Sequence, residues 1–285
     1  MKRLLKQGLK RLVGDDAHRT YGDRAAVVVS IAALKGGVGK TTTAVNLAAV
    51  FAREFGKRTL LIDLDPQNNV QSTLHAVVGR GGSGISEVLA EGGPVEVMDV
   101  AIQTDIPLLD ATPADVDLQN AEQRLSARIG KEGLLRDALR ATRTHYDLIL
   151  IDCPPAAGTL TLNALVASDW VLIPCDSSPM AVNGVQAIAQ TLYTVSERLN
   201  PNLDVLGILR TRVDARTKAI NENVEASLHE AFGDAVLPQY IGISTDLTKA
   251  QQHGTDIFGF APKSRGATHY RALAEALTAP LGFQR

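Results

Sequence analysis

Two lysines five positions apart in a run of glycines are the residues of this sequence best suited to chemistry on phosphate. The segment Leu34-Lys35-Gly36-Gly37-Val38-Gly39-Lys40-Thr41-Thr42-Thr43 lies between an apolar run and the helical stretch AVNLAAVFARE. Glycines at 36, 37 and 39, with Val38 between them, let backbone amides turn inward around phosphate oxygens. The helix opening at Thr41 and Thr42 adds its positive dipole, Lys40 bridges terminal phosphates, and the Thr41 hydroxyl reaches Mg²⁺. Three aspartates stand at the ends of other apolar runs: Asp63 and Asp65 in LLIDLDPQNN, and Asp152 in IDCPP. Carboxylates at the C-terminal ends of parallel strands face the crevice where ligands bind. Phosphoryl transfer needs little else than cations on the leaving charge and a carboxylate that orients water.

The elements that must position these residues are legible as alternating apolar runs and helix-length segments, the pattern of βαβ units. Strands are predicted at Ala26 to Ala33, Arg58 to Leu64, Ile106 to Leu109, Asp147 to Ile151, Trp170 to Pro174, Leu203 to Leu209 and Ala235 to Ile241. Most are continuously apolar, as strands covered on both faces are. Helices are predicted near residues 40 to 54, 115 to 127, 131 to 144, 159 to 167, 180 to 199, 217 to 232 and 266 to 278. The fold expected is α/β, a doubly wound, mostly parallel sheet with helices on both faces, in one domain over residues 25–285. Residues 1–24 precede it as a basic amphipathic helix, MKRLLKQGLKRLV, and a polar linker. Gly79 to Gly84 reads as a mobile loop.

GxxxxGK[ST] begins with glycine where this chain has Leu34, and a second lysine, Lys35, stands five residues before Lys40. That is the deviant Walker A arrangement. Together with Asp63-Leu64-Asp65-Pro66-Gln67, Asp152-Cys153-Pro154-Pro155 and TLNAL in the same order, the chain resembles the ParA/MinD family of deviant Walker ATPases over most of residues 26–280. The resemblance implies ATP and Mg²⁺ as cofactors and a homodimer that closes on ATP, with Lys35 reaching the partner's phosphates. It implies that Asp65 positions the attacking water, that Asp63 supports hydrated Mg²⁺, and that Asp152 senses the γ-phosphate. Neither Thr217-Lys218 nor Thr248-Lys249 is followed by the aspartate of a guanine-reading motif, which favours ATP.

The bulk numbers narrow what such a switch acts on. A net charge of −2 gives no global field for nucleic acid, so DNA must be held by a local patch. Arg210, Arg212, Arg216 and Lys218 form one, and the family places a nucleoid-contacting arginine at the position resembling Arg216. Where ParA proteins often carry arginines, this chain reads QYIGISTD from Gln239, and Pro174 to Met180 also departs from the chromosomal pattern. Three readings stand side by side. A ParA-like ATPase would position DNA or cargo on non-specific DNA. A MinD-like switch would bind membrane through residues 1–13, which could equally recruit a ParB-like or other activating partner. A metabolic or redox relative would need an Fe–S cluster or another product-forming site, for which Cys153 and Cys175 lack the setting. With two cysteines and no apolar run of the ~18 residues a membrane span needs, a cytoplasmic, nucleoid-associated protein is expected.

Overall fold

Apolar runs with no polar face can be buried only between two layers, and that is where these lie. In the computed structural model, residues 24–75, 84–90, 95–113 and 115–283 are described. The basic segment 1–13, the linker up to residue 23 and the glycine-rich stretch 79–83 lie outside them. The strands are β1 Val27–Ile31, β2 Thr59–Asp63, β3 Ile102–Gln103, β4 Leu109–Ala111, β5 Leu148–Asp152, β6 Trp170–Asp176, β7 Asp204–Val213 and β8 Val236–Gly242. The helices are α1 Lys40–Arg53, α2 Asn69–Thr73, α3 Ile85–Leu89, α4 Val97–Val100, α5 Leu118–Leu125, α6 Leu134–Ala138, α7 Thr159–Ala167, α8 Ala181–Arg198, α9 Lys218–Phe232, α10 Thr245–Gln252, α11 Ile257–Phe260 and α12 Arg265–Thr278.

All eight strands form one sheet in the order β3-β4-β2-β5-β1-β6-β7-β8, parallel except for the β3–β4 pair. Side chains alternate between its faces. Val28, Ile62, Ile151 and Ile173 pack under α7, α8 and α9 on one side. Val29, Ile31, Leu61 and Leu172 pack under α1, α11 and α12 on the other. Because β1 pairs β5 on one edge and β6 on the other, the segments leaving β1, β2, β5 and β6 emerge at the same end of the sheet. This is the crevice in which doubly wound sheets bind ligands. Helix α1, buried along most of its length, is clamped between the sheet and α12.

Two expectations are corrected here, and some elements were not foreseen. The strand at Ile106 to Leu109 begins only at Leu109, because Leu108 takes a left-handed φ of 64° in a turn that Thr104 Oγ1 closes by donating to the Leu109 carbonyl at 2.7 Å. The helix at 131 to 144 is broken into a 3₁₀ turn, α6 and a second 3₁₀ turn. The edge strand β3 and the short helices α2, α3, α4, α10 and α11 have too few residues to show a period.

Candidate nucleotide site

The loop between β1 and α1 is built by backbone that favours glycine. Gly37 and Gly39 sit at φ 75° and 84°, in the left-handed region. A Cβ at Gly39 would meet the Thr211 side chain at 3.8 Å, so the loop lies against the end of β7. Thr211 Oγ1 is within hydrogen-bonding distance of the carbonyls of Val38 at 2.8 Å and of Cys175 at 3.0 Å. Arg212, left-handed itself at φ 53°, donates to the Gly37 carbonyl at 3.1 Å. These braces use up outward-facing loop carbonyls. Gly36, Gly39, Lys40, Thr41, Thr42 and Asp65 border a cleft of about 520 Å³ whose far wall is Arg212, Ile243, Ser244 and Leu247.

Lys40 starts α1, is buried, and donates to the Lys35 carbonyl at 3.3 Å. Burial holds its pKa below the usual lysine range, with the Asp152 charge opposing that shift. Thr41 donates its hydroxyl to Asp152 Oδ2 at 2.6 Å, joining the P-loop to the end of β5. Asp152 Oδ1 is buried and has no hydrogen-bond partner. Burial, then the charge of Asp63, pushes the Asp152 carboxyl well above the ordinary carboxylate range.

Beside its sequence-based assignment as support for hydrated Mg²⁺, Asp63 has a second task in the loop that follows it. Its Oδ1 accepts from the Asp65 amide and its Oδ2 from the Val70 amide, both at 3.0 Å. Each oxygen helps shape the loop after β2 and keeps a second lone pair for a water, while the carboxylate bonded to Thr41 is that of Asp152. Asp65 in turn accepts from the Gln67 amide at 3.0 Å and from Asn69 Nδ2 at 3.4 Å, and lies on the cleft wall.

Asp63, Asp65 and Asp152 are thus buried together with Lys40 as the adjacent cation. Such a group calls for added positive charge, and the orphaned Asp152 oxygen beside a threonine hydroxyl suits a water of hydrated Mg²⁺. Among the described residues no three His, Cys, Asp or Glu side chains converge to hold a metal by themselves. Mg²⁺ is ordinarily held by one or two protein oxygens together with substrate phosphates, so the donor set fits the ion.

A pH dependence follows. Burial, the largest cause, pushes the Asp63 carboxyl up to about 7, against the pull of the two amides. The folded protein then holds a proton that the unfolded chain releases near pH ~4. Stability from this source is full below about 4 and is lost as pH rises through about 7. Without nucleotide or metal, thermal melts are expected to show a falling Tm from pH 5 to pH 8. Saturating Mg²⁺ with ADP should flatten that fall, because a bound cation favours the charged carboxylates.

The basic cluster is not one surface. Arg210 is buried, its Nη2 at 2.6 Å from Glu225 Oε1 and its guanidinium over the Tyr240 ring. It sits inside β7, where an arginine must be paired, so its assignment to DNA is withdrawn. Arg212 is exposed and braces the P-loop through Nη1 alone, which leaves the rest of its guanidinium at the surface. Arg216 and Lys218 are free of the core, with side chains 86% and 85% exposed, although Arg216 lies bidentate on Asp214 and Lys218 is 3.7 Å from Glu222. The Arg216 bonds lower the Asp214 carboxyl to about 2. Both thiols are buried, and burial pushes Cys175 up to about 12 and Cys153 higher still.

Comparison with known proteins bears on most of the chain. A profile of AAA-domain proteins matches residues 26–205. The chromosome-partitioning ATPase Soj of Thermus thermophilus is 43% identical over 251 residues, covering 88% of this chain and 95% of that protein. The chain belongs to the ParA/Soj family of P-loop ATPases. The Caulobacter vibrioides chromosome partitioning protein ParA is 37% identical over 249 residues, covering 87% of this chain and 92% of that protein. A solved structure described as cobyrinic acid a,c-diamide synthase from Mycobacterium smegmatis with bound ADP and magnesium superposes with TM-score 0.77 at 33% identity, over 91% of this chain and 97% of that one. ParA/Soj-like chains thus share this scaffold with a protein described by a different activity, and function must be argued from the site.

In ParA/Soj terms, the P-loop residues Lys35 to Thr42, Asp65 and Asp152 come together at one end of the sheet, whereas Arg216 lies on the turn after β7 and Lys218 opens α9, both outside the cleft lining. Sequence reasoning missed Thr211, which seats the P-loop, and the backbone of Gly242 to Ser244, which walls the cleft. The signal for the first was a hydroxyl among apolar residues at a strand end, next to the charged residues that drew attention instead. Among the described residues no helix is long and apolar enough to cross a membrane.

Proposed function

We propose that this protein binds Mg–ATP in the P-loop cleft, pairs with a second copy around it, binds DNA without sequence preference in that paired state, and hydrolyses ATP slowly to position DNA or a large cargo. The observation that carries the reading is the P-loop carrying two lysines in different settings: Lys40 buried at the head of α1, and Lys35 at the rim with its side chain 44% exposed. In this scheme Lys40 and the amides of Gly36 to Thr42 bind the phosphates. Thr41 and Asp152 hold the metal and its water. When bound, Mg²⁺ supplies charge for the terminal phosphates, and Asp65 holds the attacking water in line. Asp63 keeps Asp65 in place through the loop amide. Lys35 crosses to the partner's phosphates, as the family resemblance implies.

Arg212, Arg216 and Lys218 are the DNA contacts that remain once the buried Arg210 is removed from the group. Phosphate contacts of this kind are sequence-independent and weaken with salt. The test is cosedimentation of Asp65→Ala protein with non-specific DNA, and separately with anionic liposomes, in ATP and in ADP. DNA binding in ATP alone, weakened about tenfold or more by Arg216→Glu with a shallower salt dependence, is the expected result. Binding to liposomes and not to DNA would replace this reading with a membrane switch acting through residues 1–13.

A further inference from the structure

We propose that Asp176 is a positioning residue that holds Lys35 at rest on its own chain and so raises the nucleotide-bound protein concentration at which two chains pair. The inference rests on the paired-chain reading above and adds to it the element that opposes pairing.

Lys35 Nζ lies 2.7 Å from Asp176 Oδ2 and 3.4 Å from Ser178 Oγ. The acceptors are arranged for it. Ser178 Oγ donates to Asp176 Oδ1 at 3.1 Å, and the Ser178 amide donates to the Asp176 carbonyl at 2.8 Å, so the turn after β6 presents a carboxylate and a hydroxyl side by side. The lysine borders a small hollow shared with Ala33, Val38, Pro174, Met180 and Ala181, a setting in which its methylene stem can rest while the ammonium reaches polar groups at the edge. Asp176 is the last residue of β6, at the same end of the sheet as Asp63 and Asp152, but it points to the rim lysine and not to the buried one.

A lysine engaged this way is withheld from another chain's phosphates on two grounds. If Nζ must move to reach them, the contact with Asp176 is broken. If it need not, a carboxylate at 2.7 Å still cancels most of the charge the ammonium offers. The pair is exposed, with side-chain accessibilities of 44% and 24%, so its strength is modest. An exposed ion pair is worth up to about fivefold in an equilibrium. Forming the dimer disturbs two of them, so their removal favours pairing by up to about 25-fold.

The test is sedimentation velocity over a protein concentration series, with Mg²⁺ and a non-hydrolysable ATP analogue, and with ADP as reference. Asp176→Asn keeps the shape and removes the charge. It is expected to halve-dimerise at a concentration about 3- to 25-fold below that of the natural protein, with analogue binding by the monomer and the Tm both unchanged. Ser178→Ala should move the midpoint the same way by less. Lys35→Ala should not pair, and Lys35→Ala combined with Asp176→Asn should not pair either, which places the effect on this lysine. Pairing of the natural protein with an unmoved midpoint in Asp176→Asn overturns the inference. A midpoint shifted to higher concentration also overturns it, by making Asp176 a support for the active lysine. Failure of the natural protein to pair at all, with the analogue bound, removes the paired-chain reading and this inference with it.

Discussion

Lys40→Ala protein is expected to bind Mg–ATP about 30- to 5,000-fold more weakly than the natural protein, the range seen when one partner of a buried, hydrogen-bonded charge pair is truncated. The magnitude follows from where the ammonium sits. It is the buried cation at the P-loop, held against the Lys35 carbonyl at 3.3 Å and facing Asp152. Without it, the terminal phosphates would enter a pocket in which Asp65 and Asp152 repel them. The Tm of the unliganded protein should change as well, because removal relieves the burial cost of the lysine but takes the adjacent cation from Asp152 and Asp65. Calorimetric titration with ATP and a thermal melt check both halves of the expectation. Near-normal affinity would mean that the backbone cradle alone binds the phosphates, and the assignment of Lys40 would fall.

Asp65→Ala should retain nucleotide affinity to within a few-fold while phosphate release drops by about 10² to 10⁴, the contribution of a residue that orients or activates a reacting group. The paired state should persist in ATP for as long as nucleotide remains bound. Because the Asp65 carboxylate also accepts from Gln67 and Asn69, the alanine variant loosens the loop after β2. Asp65→Asn, which keeps one acceptor oxygen, separates the two effects. A drop of the same size in both variants assigns it to the carboxylate charge, and a drop confined to alanine assigns it to loop order. Normal phosphate release in both would remove Asp65 from the reaction. Single-turnover release from preloaded protein is the appropriate measurement.

The parts of the fold readable in sequence were those whose burial leaves one solution. Runs such as LLID and LILID have no polar face and must be central strands, and the glycines of the P-loop are demanded by left-handed φ values at Gly37 and Gly39. Asp152 was legible as a strand-end acid, but its pairing with Thr41 is a contact across 111 residues that no local pattern encodes. Asp63 and Asp65 illustrate the limit more sharply. Two acids one residue apart read as equals, yet Asp63 turns inward to two amides while Asp65 lies on the cleft wall, a division made by the turn through Asn68 at φ 52°. Arg210 misled for a related reason. Its nearness in sequence to Arg212 suggested one patch, whereas it lies within the sheet under Glu225 and Arg212 stays exposed on a left-handed backbone beside Gly37.

The bonds that hold Asp65 bear on how an activating partner could work. A carboxylate fixed by a backbone amide and a side-chain amide, on a loop itself pinned by Asp63, is already ordered in the lone chain. On the roles proposed above, idling turnover would not come from a floppy water-orienting group. The missing ingredient would be charge and dryness around the transferring phosphoryl, which preorganised dipoles and excluded solvent supply. An activator of this protein would then act as a plug or a counter-charge at the mouth of the cleft, leaving the loop that carries Asp65 as it stands.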